Sequence, residues 1–301
     1  MIAWNRNKTK LFSEAVFQWR VWKAQLNFFD HLSVKRKSKF KFCVRKAEGY
    51  QSKLASLKNK FHKKPCTIVA NGPSLNDSDP NLIRQTVSIG CNGIFKRFPE
   101  WGFETNFLVF EDIEQFEIRA KELGKTRYSQ KLAGIYNAYC VKDHKEWLFF
   151  HAPRSQNHSY YFHDESIYPE FSKDFAGIVH LGSTVSFIML QLAYHIGCDP
   201  VIIIGLDHDY GELQKLYPPG KVAITEENIS IVRECHFQEN YYKIGDVVGV
   251  PWVEKQEQAF QSALNAFAKD GRTLLNASKK SNLGIIPRVS EERAFAMINF
   301  R

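Results

Sequence analysis

The chain has 301 residues, of which 44% are hydrophobic, including 24 Phe, 12 Tyr and 6 Trp, so it can bury a large core. It has no apolar run long enough for a transmembrane helix, and charges from Arg6 onward lead us to expect no signal peptide. Its six cysteines include no Cys-x-x-Cys pair, which argues against a structural zinc site or a disulfide framework and favours a cytoplasmic location.

Charge is distributed unevenly along the chain. Residues 1–64 hold 17 Lys or Arg against three acids, a net charge of +14, whereas the whole chain is +9, which leaves −5 for residues 65–301. The basic residues alternate with aromatic residues such as Trp4, Phe12, Trp19 and Phe28. Apolar residues at helical spacing within this stretch predict a basic helical N-terminal extension over residues 1–64.

The composition of this extension indicates a binding surface. Basic residues interleaved with Trp and Phe are typical of a helix that lies on an anionic membrane surface. We therefore expect residues 1–64 to contact such a surface, and the protein to be peripheral at the inner membrane. A structural cover over the remaining chain and an oligomer contact are the alternatives, and nucleic acid is not an expected partner.

From residue 65 onward, strand and helix patterns alternate. This alternation predicts an α/β domain over residues 65–301, with a Rossmann-like, doubly wound and mostly parallel sheet. The predicted helices are Ser183–His195 and Glu254–Lys269. The predicted strands are Thr67–Ala70, Val87–Asn92, Phe107–Phe110, Gly134–Tyr139, Trp147–His151 and Pro200–Gly205.

Polar residues follow four of the predicted strands, where a parallel sheet binds its ligands. The candidate residues at these strand ends are Asn71, Gly72, Pro73, Ser74, Asn92, Asp112, Asp207, Asp209 and Tyr210. The two asparagines can both donate and accept hydrogen bonds, as ribose or base recognition requires, although capping of the next helix is an alternative for each. The Asp-x-Asp spacing of Asp207 and Asp209 suits either a divalent metal or a hydrogen-bonded turn.

Two further motifs complete the predicted site. Gly182, Ser183 and Thr184 open a helix, whose free N–H groups could hold a phosphate or a carboxylate. His236 follows a polar stretch over 217–233 and precedes two tyrosines. A histidine near neutral pKa is a natural general base for a hydroxyl acceptor, and a purely structural role is the alternative.

Six motifs in this order resemble the 6-hydroxymethylpterin pyrophosphokinase MptE-like family. The same core is similar to the bacterial sialyltransferases of glycosyltransferase family 42 and to the central domain of Maf flagellin glycosyltransferases. The motifs are Ala-Asn-Gly-Pro-Ser-Leu at 70–75, Cys-Asn at 91–92, Gly-Ser-Thr-Val at 182–185, Ile-Gly-Leu-Asp-His-Asp-Tyr at 204–210, His-Phe with Asn-Tyr at 236–241, and Asn-Ala-Ser with Pro-Arg-Val at 276–289.

The resemblance implies a Rossmann-like fold with a nucleotide at the strand ends. It implies that Asn71 and Asn92 bind the CMP part of a donor, and that Ser183 and Thr184 contact its sugar or base. It further implies that His236 is the general base.

The resemblance also implies that tyrosines hold the donor phosphate, with Tyr210 as the better match and Tyr217 as a second candidate. Asp112 stands where those sialyltransferases carry Asn, so the sugar that is bound stays open.

These observations predict an inverting glycosyltransferase. It would move a sialic, other nonulosonic or Kdo-like acidic sugar from a CMP-activated donor to a cell-surface glycan or protein acceptor. The candidate catalytic residues are His236 and Asp207, and no metal cofactor is required.

The alternative enzyme is a magnesium-dependent diphosphokinase that transfers pyrophosphate from ATP to a hydroxymethylpterin-like acceptor. Asp207 and Asp209 would then hold the magnesium ion. A non-enzymatic nucleotide sensor or scaffold is a third hypothesis.

Overall fold

A computed structural model describes residues 50–119, 122–123, 126–135, 137, 145–152 and 169–299. Most of the predicted basic extension, residues 1–49, lies outside this part of the chain. Across the described residues, no helix combines the length and the apolar character needed to cross a membrane.

In the described part of the chain, nine strands form a seven-stranded sheet and a two-stranded ribbon. The strands are β1 (Cys66–Val69), β2 (Val87–Cys91), β3 (Phe107–Phe110), β4 (Gln130–Gly134), β5 (Trp147–Phe150), β6 (Val201–Ile204), β7 (Gly220–Ala223), β8 (Val247–Val250) and β9 (Leu274–Asn276). The large sheet has the order β5-β4-β3-β2-β1-β6-β9, and each of its neighbouring pairs is parallel. Strands β7 and β8 pair antiparallel. The predicted Rossmann-like, doubly wound sheet is confirmed.

Helices connect these strands and cover the sheet. They are α1 (Pro80–Arg84), α2 (Phe98–Trp101), α3 (Ile113–Arg119), α4 (Val185–His195), α5 (Gly211–Leu216), α6 (Ile229–Glu234), α7 (Val253–Lys269) and α8 (Glu291–Asn299). The 3-10 helices whose bounds are described span Pro73–Asp77, Asn92–Arg97 and Glu239–Tyr241. Residues 50–55 are also helical.

The sheet is buried on both faces, which explains the continuous apolar runs of its strands. Successive side chains of a strand point to opposite faces. Accordingly, Ile68 and Ile203 belong to the core beneath α4 and α7, whereas Val69 and Ile204 belong to the core on the other face.

Residues 50–64 pack on this core, although the sequence assigned them to the extension. Leu54 and Leu57 are buried in the cluster that contains α4. The backbone N–H groups of Asn59 and Phe61 donate to the carbonyls of His195 and Ile196, at 3.0 and 2.8 Å. The division of the chain into an extension and a catalytic domain therefore stays a prediction for residues 1–49.

The prediction of a strand over Gly134–Tyr139 was wrong. The strand is Gln130–Gly134, and residues 135 and 137 are in a 3-10 conformation. The pattern was misleading because Lys131 lies inside this strand, where its stem is buried and its Nζ pairs with Glu146 at 2.8 Å. The β7–β8 ribbon was not predicted, since β7 is largely exposed and has no apolar alternation.

The strand order places a crevice at the carboxyl end of β1. Successive strands after β1 run to one side of it, while β6 and β9 lie on the other side. At such a switch point the connections leave in opposite directions, and a ligand site forms between them.

Candidate functional site

A cleft of about 1060 Å³, including its open mouth, occupies this crevice. It brings together ten of the residues predicted from the sequence. They are Asn71, Gly72, Asn92, Asp112, Ser183, Thr184, Asp207, Asp209, Tyr210 and His236.

Two asparagine side chains leave acceptors open at the cleft. Asn71 Nδ2 donates to the carbonyl and Sγ of Cys91 at 3.2 and 3.1 Å, which holds the end of β1 beside the end of β2. The Oδ1 atoms of Asn71 and Asn92 are buried and have no hydrogen-bond partner within the described residues. Because buried acceptors are normally satisfied, these two oxygens are suited to a ligand that brings O–H or N–H donors.

Gly72 lies where two turns cross closely. Its N–H donates to the carbonyl of Gly205 at 2.8 Å. A Cβ atom at this position would lie 2.7 Å from that carbonyl oxygen and 2.8 Å from Cγ of Asp207. Glycine is therefore required here, and the β1 and β6 turns can approach each other only because it is present.

Asp207 braces the turn that follows β1. Its Oδ2 accepts from Ser74 N at 2.8 Å, and its Oδ1 accepts from the Ser74 hydroxyl. Burial raises the pKa of Asp207, and the two Ser74 donors oppose that rise. Ser74 is itself buried. Pro73 lies outside the cleft and lines an adjoining cavity that Asp207 and Asp209 share.

Left-handed backbone conformations cluster at the cleft. Asn92, Ser183 and His208 line it with φ values of +47°, +53° and +53°. Such conformations are strained for residues other than glycine, and they concentrate at functional sites.

The N-terminus of α4 is capped by the residue that precedes it, Thr184. The Thr184 hydroxyl accepts from Ser186 N at 3.2 Å and so caps the helix. Gly182 lies outside the cleft, because it packs against Phe187 and Ala259, where a Cβ atom would collide with both side chains.

Asp112 caps α3 and faces the cleft. Its Oδ1 accepts from Gln115 N at 2.8 Å. Burial, together with repulsion from Glu114 and Glu111, raises the pKa of Asp112 to about 7, against the opposing pull of Lys221. Near neutral pH this side chain can therefore either donate or accept a proton in a hydrogen bond.

Tyr210 and Asp209 have local partners, and Tyr217 lies elsewhere. The Tyr210 hydroxyl donates to Gln256 Oε1 at 3.1 Å, and burial raises its pKa to about 12. Asp209 is exposed and accepts from Gly211 N at 2.9 Å. Tyr217 lines a separate groove beside Pro218, so the structure does not bring it to the cleft.

The His236 ring stacks on Tyr241, with centroids 4.1 Å apart, and meets the edge of Tyr242. Its Nδ1 lies 3.4 Å from the Val232 carbonyl. A carbonyl can only accept, so Nδ1 carries the hydrogen and Nε2 keeps its lone pair. Burial lowers the pKa of His236 to about 3, the Val232 carbonyl opposes this shift, and Arg119 adds to it. The ring is neutral near pH 7.

The sequence reasoning missed Gln115, which lines the cleft, and Arg119, which lies behind it. Arg119 is fully buried and donates from Nε to Gln115 Oε1 at 3.2 Å. The available signal was their i, i+4 spacing, which places both side chains on one face of a helix.

The 6-hydroxymethylpterin diphosphokinase MptE-like family matches residues 42–212, more than half of the chain. The chain belongs to this family. The matched range contains the turns after β1, β2, β3 and β6, whereas His236 lies beyond it. No curated protein matches the chain.

Among solved structures, the chain is similar to the Maf glycosyltransferase from Magnetospirillum magneticum AMB-1. The two share 13% sequence identity with a TM-score of 0.46. The similarity covers 84% of this chain and 42% of that one, so the chain spans less than half of that protein's length.

The family description names a diphosphokinase, so the class of enzyme at family level is a transferase. The cleft of this MptE-like protein is acidic. Glu111, Asp112, Asp207 and Asp209 line it, and no Lys or Arg side chain does so among the described residues.

A magnesium ion at the Asp207–Asp209 pair would share its ligand oxygens with hydrogen-bond donors that the protein already supplies. Both oxygens of Asp207 already accept from Ser74, and Asp209 Oδ1 accepts from Gly211 N. Within the described ranges, no group of three or more His, Cys, Asp or Glu residues is arranged to hold a metal ion.

Proposed function

We propose that the chain is a glycosyltransferase that uses a CMP-activated acidic sugar, such as a sialic, other nonulosonic or Kdo-like acid. Its acceptor would be a cell-surface glycan or protein. The observation that carries this proposal is the place of His236, whose neutral ring lines the same cleft as Asn71, Asn92, Ser183 and Thr184. A general base must be deprotonated, and a neutral imidazole with a free Nε2 meets this requirement. Its pKa of about 3 is below the near-neutral value expected from the sequence, so the base is weak until a bound ligand raises that pKa.

In the proposed mechanism, Nε2 of His236 takes the proton of the acceptor hydroxyl. The hydroxyl oxygen attacks the anomeric carbon, and the bond to CMP breaks with its electron pair on the phosphate oxygen. One such displacement inverts the anomeric centre. The negative charge of a bound donor favours the imidazolium that forms, so we expect the pKa of His236 to be higher in the complex than in the free protein.

The leaving phosphate needs donors. We propose that Tyr210 and backbone N–H groups at the start of α4 supply them. Since the Tyr210 hydroxyl donates to Gln256 in the free protein, it must exchange this partner for the phosphate when the donor binds. Asp207 acts by holding the Ser74 turn in place, and Asp112 would contact a ligand hydroxyl.

A diphosphokinase is the second candidate, and the description of the family favours it. The cleft supports it less well. A triphosphate is more negatively charged than a CMP-linked acidic sugar, and four carboxylates line the site. Magnesium could offset this repulsion, but at Asp207 it would share both carboxylate oxygens with the Ser74 donors.

The basic residues near the N-terminus fit an enzyme whose acceptor is built at a membrane. We propose that this part of the chain binds anionic lipid headgroups through its +14 net charge over residues 1–64. It would hold the cleft near a membrane-bound acceptor on the cytoplasmic side, and it would not bind nucleic acid.

Calorimetric titration with CMP and ATP, each with and without magnesium, tests the proposed function. We expect CMP to bind equally well in both conditions. An Asn71→Ala variant should weaken this binding, whereas Asn265→Ala, on an exposed part of α7, should leave it unchanged. Magnesium-dependent binding of ATP with no binding of CMP would contradict the proposal and establish the diphosphokinase as the better one.

A further inference from the structure

A buried arginine lies directly behind one wall of the cleft. The Arg119 guanidinium is 4.1 Å from the ring centroid of Tyr241 and 5.7 Å from that of Tyr242. Its Nη2 donates to the Tyr241 carbonyl at 3.1 Å, while Nη1 has no hydrogen-bond partner among the described residues. Burial of a cation costs free energy unless other contacts compensate for it, so this position requires an explanation.

The contacts of Arg119 extend to the cleft itself. Tyr241 and Tyr242 both line the cleft, and the His236 ring stacks on Tyr241. Gln115, which accepts from Arg119, donates in turn to the Tyr242 hydroxyl. Arg119 therefore contacts both tyrosines of the wall, either directly or through one side chain.

The same wall is joined to the turn after β2. The Tyr241 hydroxyl accepts from Gly93 N at 3.2 Å, next to Asn92. A Cβ atom at Gly93 would collide with the Tyr241 ring, so this close contact depends on glycine. The position of Tyr241 is thus determined from two sides, by Gly93 at its hydroxyl and by Arg119 at its ring and carbonyl.

We propose that Arg119 is a positioning residue, which holds the Tyr241–Tyr242 wall and thereby determines where the His236 ring lies in the cleft. The inference deepens the proposed function and rests on it for any effect on turnover. The position and protonation of His236 can be measured without that function.

The charges around His236 agree with this role. The groups that face its ring are the Tyr241 and Tyr242 rings and the Val232 carbonyl, with Arg119 behind the tyrosines. Arg119 carries a permanent positive charge that disfavours imidazolium, and the packed wall covers one face of the ring. Loss of Arg119 would weaken both effects.

The test is a histidine-ring NMR titration of the full-length protein, with His236→Gln used to assign the His236 signal. In Arg119→Met we expect a changed ring shift at neutral pH and a midpoint above the wild-type pKa of about 3. Arg272→Met is the matched control. Arg272 also lies 4.1 Å from a tyrosine ring, that of Tyr194, and donates to the same residue's carbonyl at 2.6 Å, away from the cleft.

Arg119→Lys tests the proposal if Arg119→Met does not fold. Lysine keeps the positive charge, but it lacks the planar fork that reaches Gln115 and Tyr241 together. We expect the ring shift of His236 to change and kcat to fall by at least about tenfold, with KM nearly constant.

An unchanged His236 signal in a folded Arg119 variant would overturn the inference. Failure of the wild-type protein to bind CMP would overturn the proposed function alone, because the NMR result does not depend on it.

Discussion

The carboxylate of Asp207 accepts two hydrogen bonds from Ser74, one from its backbone N–H and one from its hydroxyl, across 133 residues of sequence. These bonds join the turn after β6 to the turn after β1, the two strands between which the strand order reverses. The pair therefore gives the cleft its shape, and Asp207 has a partner before any ligand arrives.

Removal of the Asp207 carboxylate should destabilise the fold. Hydrogen bonds to a buried charged group contribute about 1.5–3 kcal/mol, so we expect Asp207→Ala to lower the free energy of unfolding in urea by about that amount. Asp209→Ala, at an exposed position beside it, should change stability by less than about 0.5 kcal/mol. Equal effects of the two variants on the free energy of unfolding would show that the Ser74 contacts do not stabilise the fold.

Gly72→Ala should be costly, because its new methyl group would overlap the Gly205 carbonyl and Asp207. We expect a loss of roughly 1–3 kcal/mol in the free energy of unfolding, together with weaker CMP binding. Gly249 also lines the cleft, but a Cβ atom there meets no atom within 4 Å. Gly249→Ala is therefore the control, and thermal unfolding at a matched scan rate compares the two.

Asp112 should make stability depend on pH. Its pKa is about 7 in the folded protein and near 3.8 when unperturbed, so the folded state binds the proton more tightly. The stabilisation of the folded state by this tighter proton binding is fully present below about pH 4, and it is lost as pH rises through about 7. We expect the difference in urea midpoint between wild type and Asp112→Asn to change steadily over this range.

A second cap variant controls for the Asp112 experiment. Asp79 caps α1 from an exposed position and accepts from Asn81 N at 2.9 Å. Asp79→Asn measures the loss of a cap carboxylate without the acidic neighbours of Asp112. A midpoint difference for Asp112→Asn that stays constant with pH would rule out the raised pKa.

His236→Gln should separate catalysis from binding. If His236 is the general base, we expect kcat to fall by about 10²–10⁴-fold while the affinity for CMP changes little. His180→Gln, at a half-buried histidine near Glu170 and outside the cleft, should keep the wild-type rate. Full turnover by His236→Gln would remove this residue from the mechanism.

The basic extension should bind anionic membranes. Each Lys or Arg near such a surface contributes about 1 kcal/mol, so replacing Lys35, Arg36 and Lys37 by Glu should weaken binding by at least about tenfold. Co-sedimentation with vesicles that contain phosphatidylserine measures this affinity. Lys215→Glu, on exposed α5, is the control, and equal binding by both proteins would contradict a membrane role for the extension.

The strands that bear the site could be predicted because each is a short, continuous apolar run that ends in polar residues. Phe107–Phe110 matches its predicted bounds, and β1, β2 and β6 lie within one residue of theirs at each end. The alternating helices then imply a parallel sheet, and a parallel sheet gathers its strand ends at one edge. Seven of the ten cleft residues follow from that logic, whereas Ser183, Thr184 and His236 were predicted from other motifs.

Local pattern could not place the residues that fold away from the cleft. Gly182 was assigned to the site from its neighbours in the sequence, yet it packs on Phe187. Tyr217 was assigned from the family resemblance, yet it lines another groove. The strand Gln130–Gly134 was missed because it contains a buried lysine, and a lysine in a sequence pattern indicates a solvent-exposed position.

The sequence by itself determined the α/β architecture and the set of polar residues at the strand ends, because both follow from the local order of apolar and polar residues. The tertiary structure alone decided which partners those residues have. Asp207 bonds to Ser74, and Arg119 stacks on Tyr241 behind His236, across more than 100 residues in each case. The local pattern of apolar and polar residues does not predict such contacts, since they arise only when distant turns pack against each other.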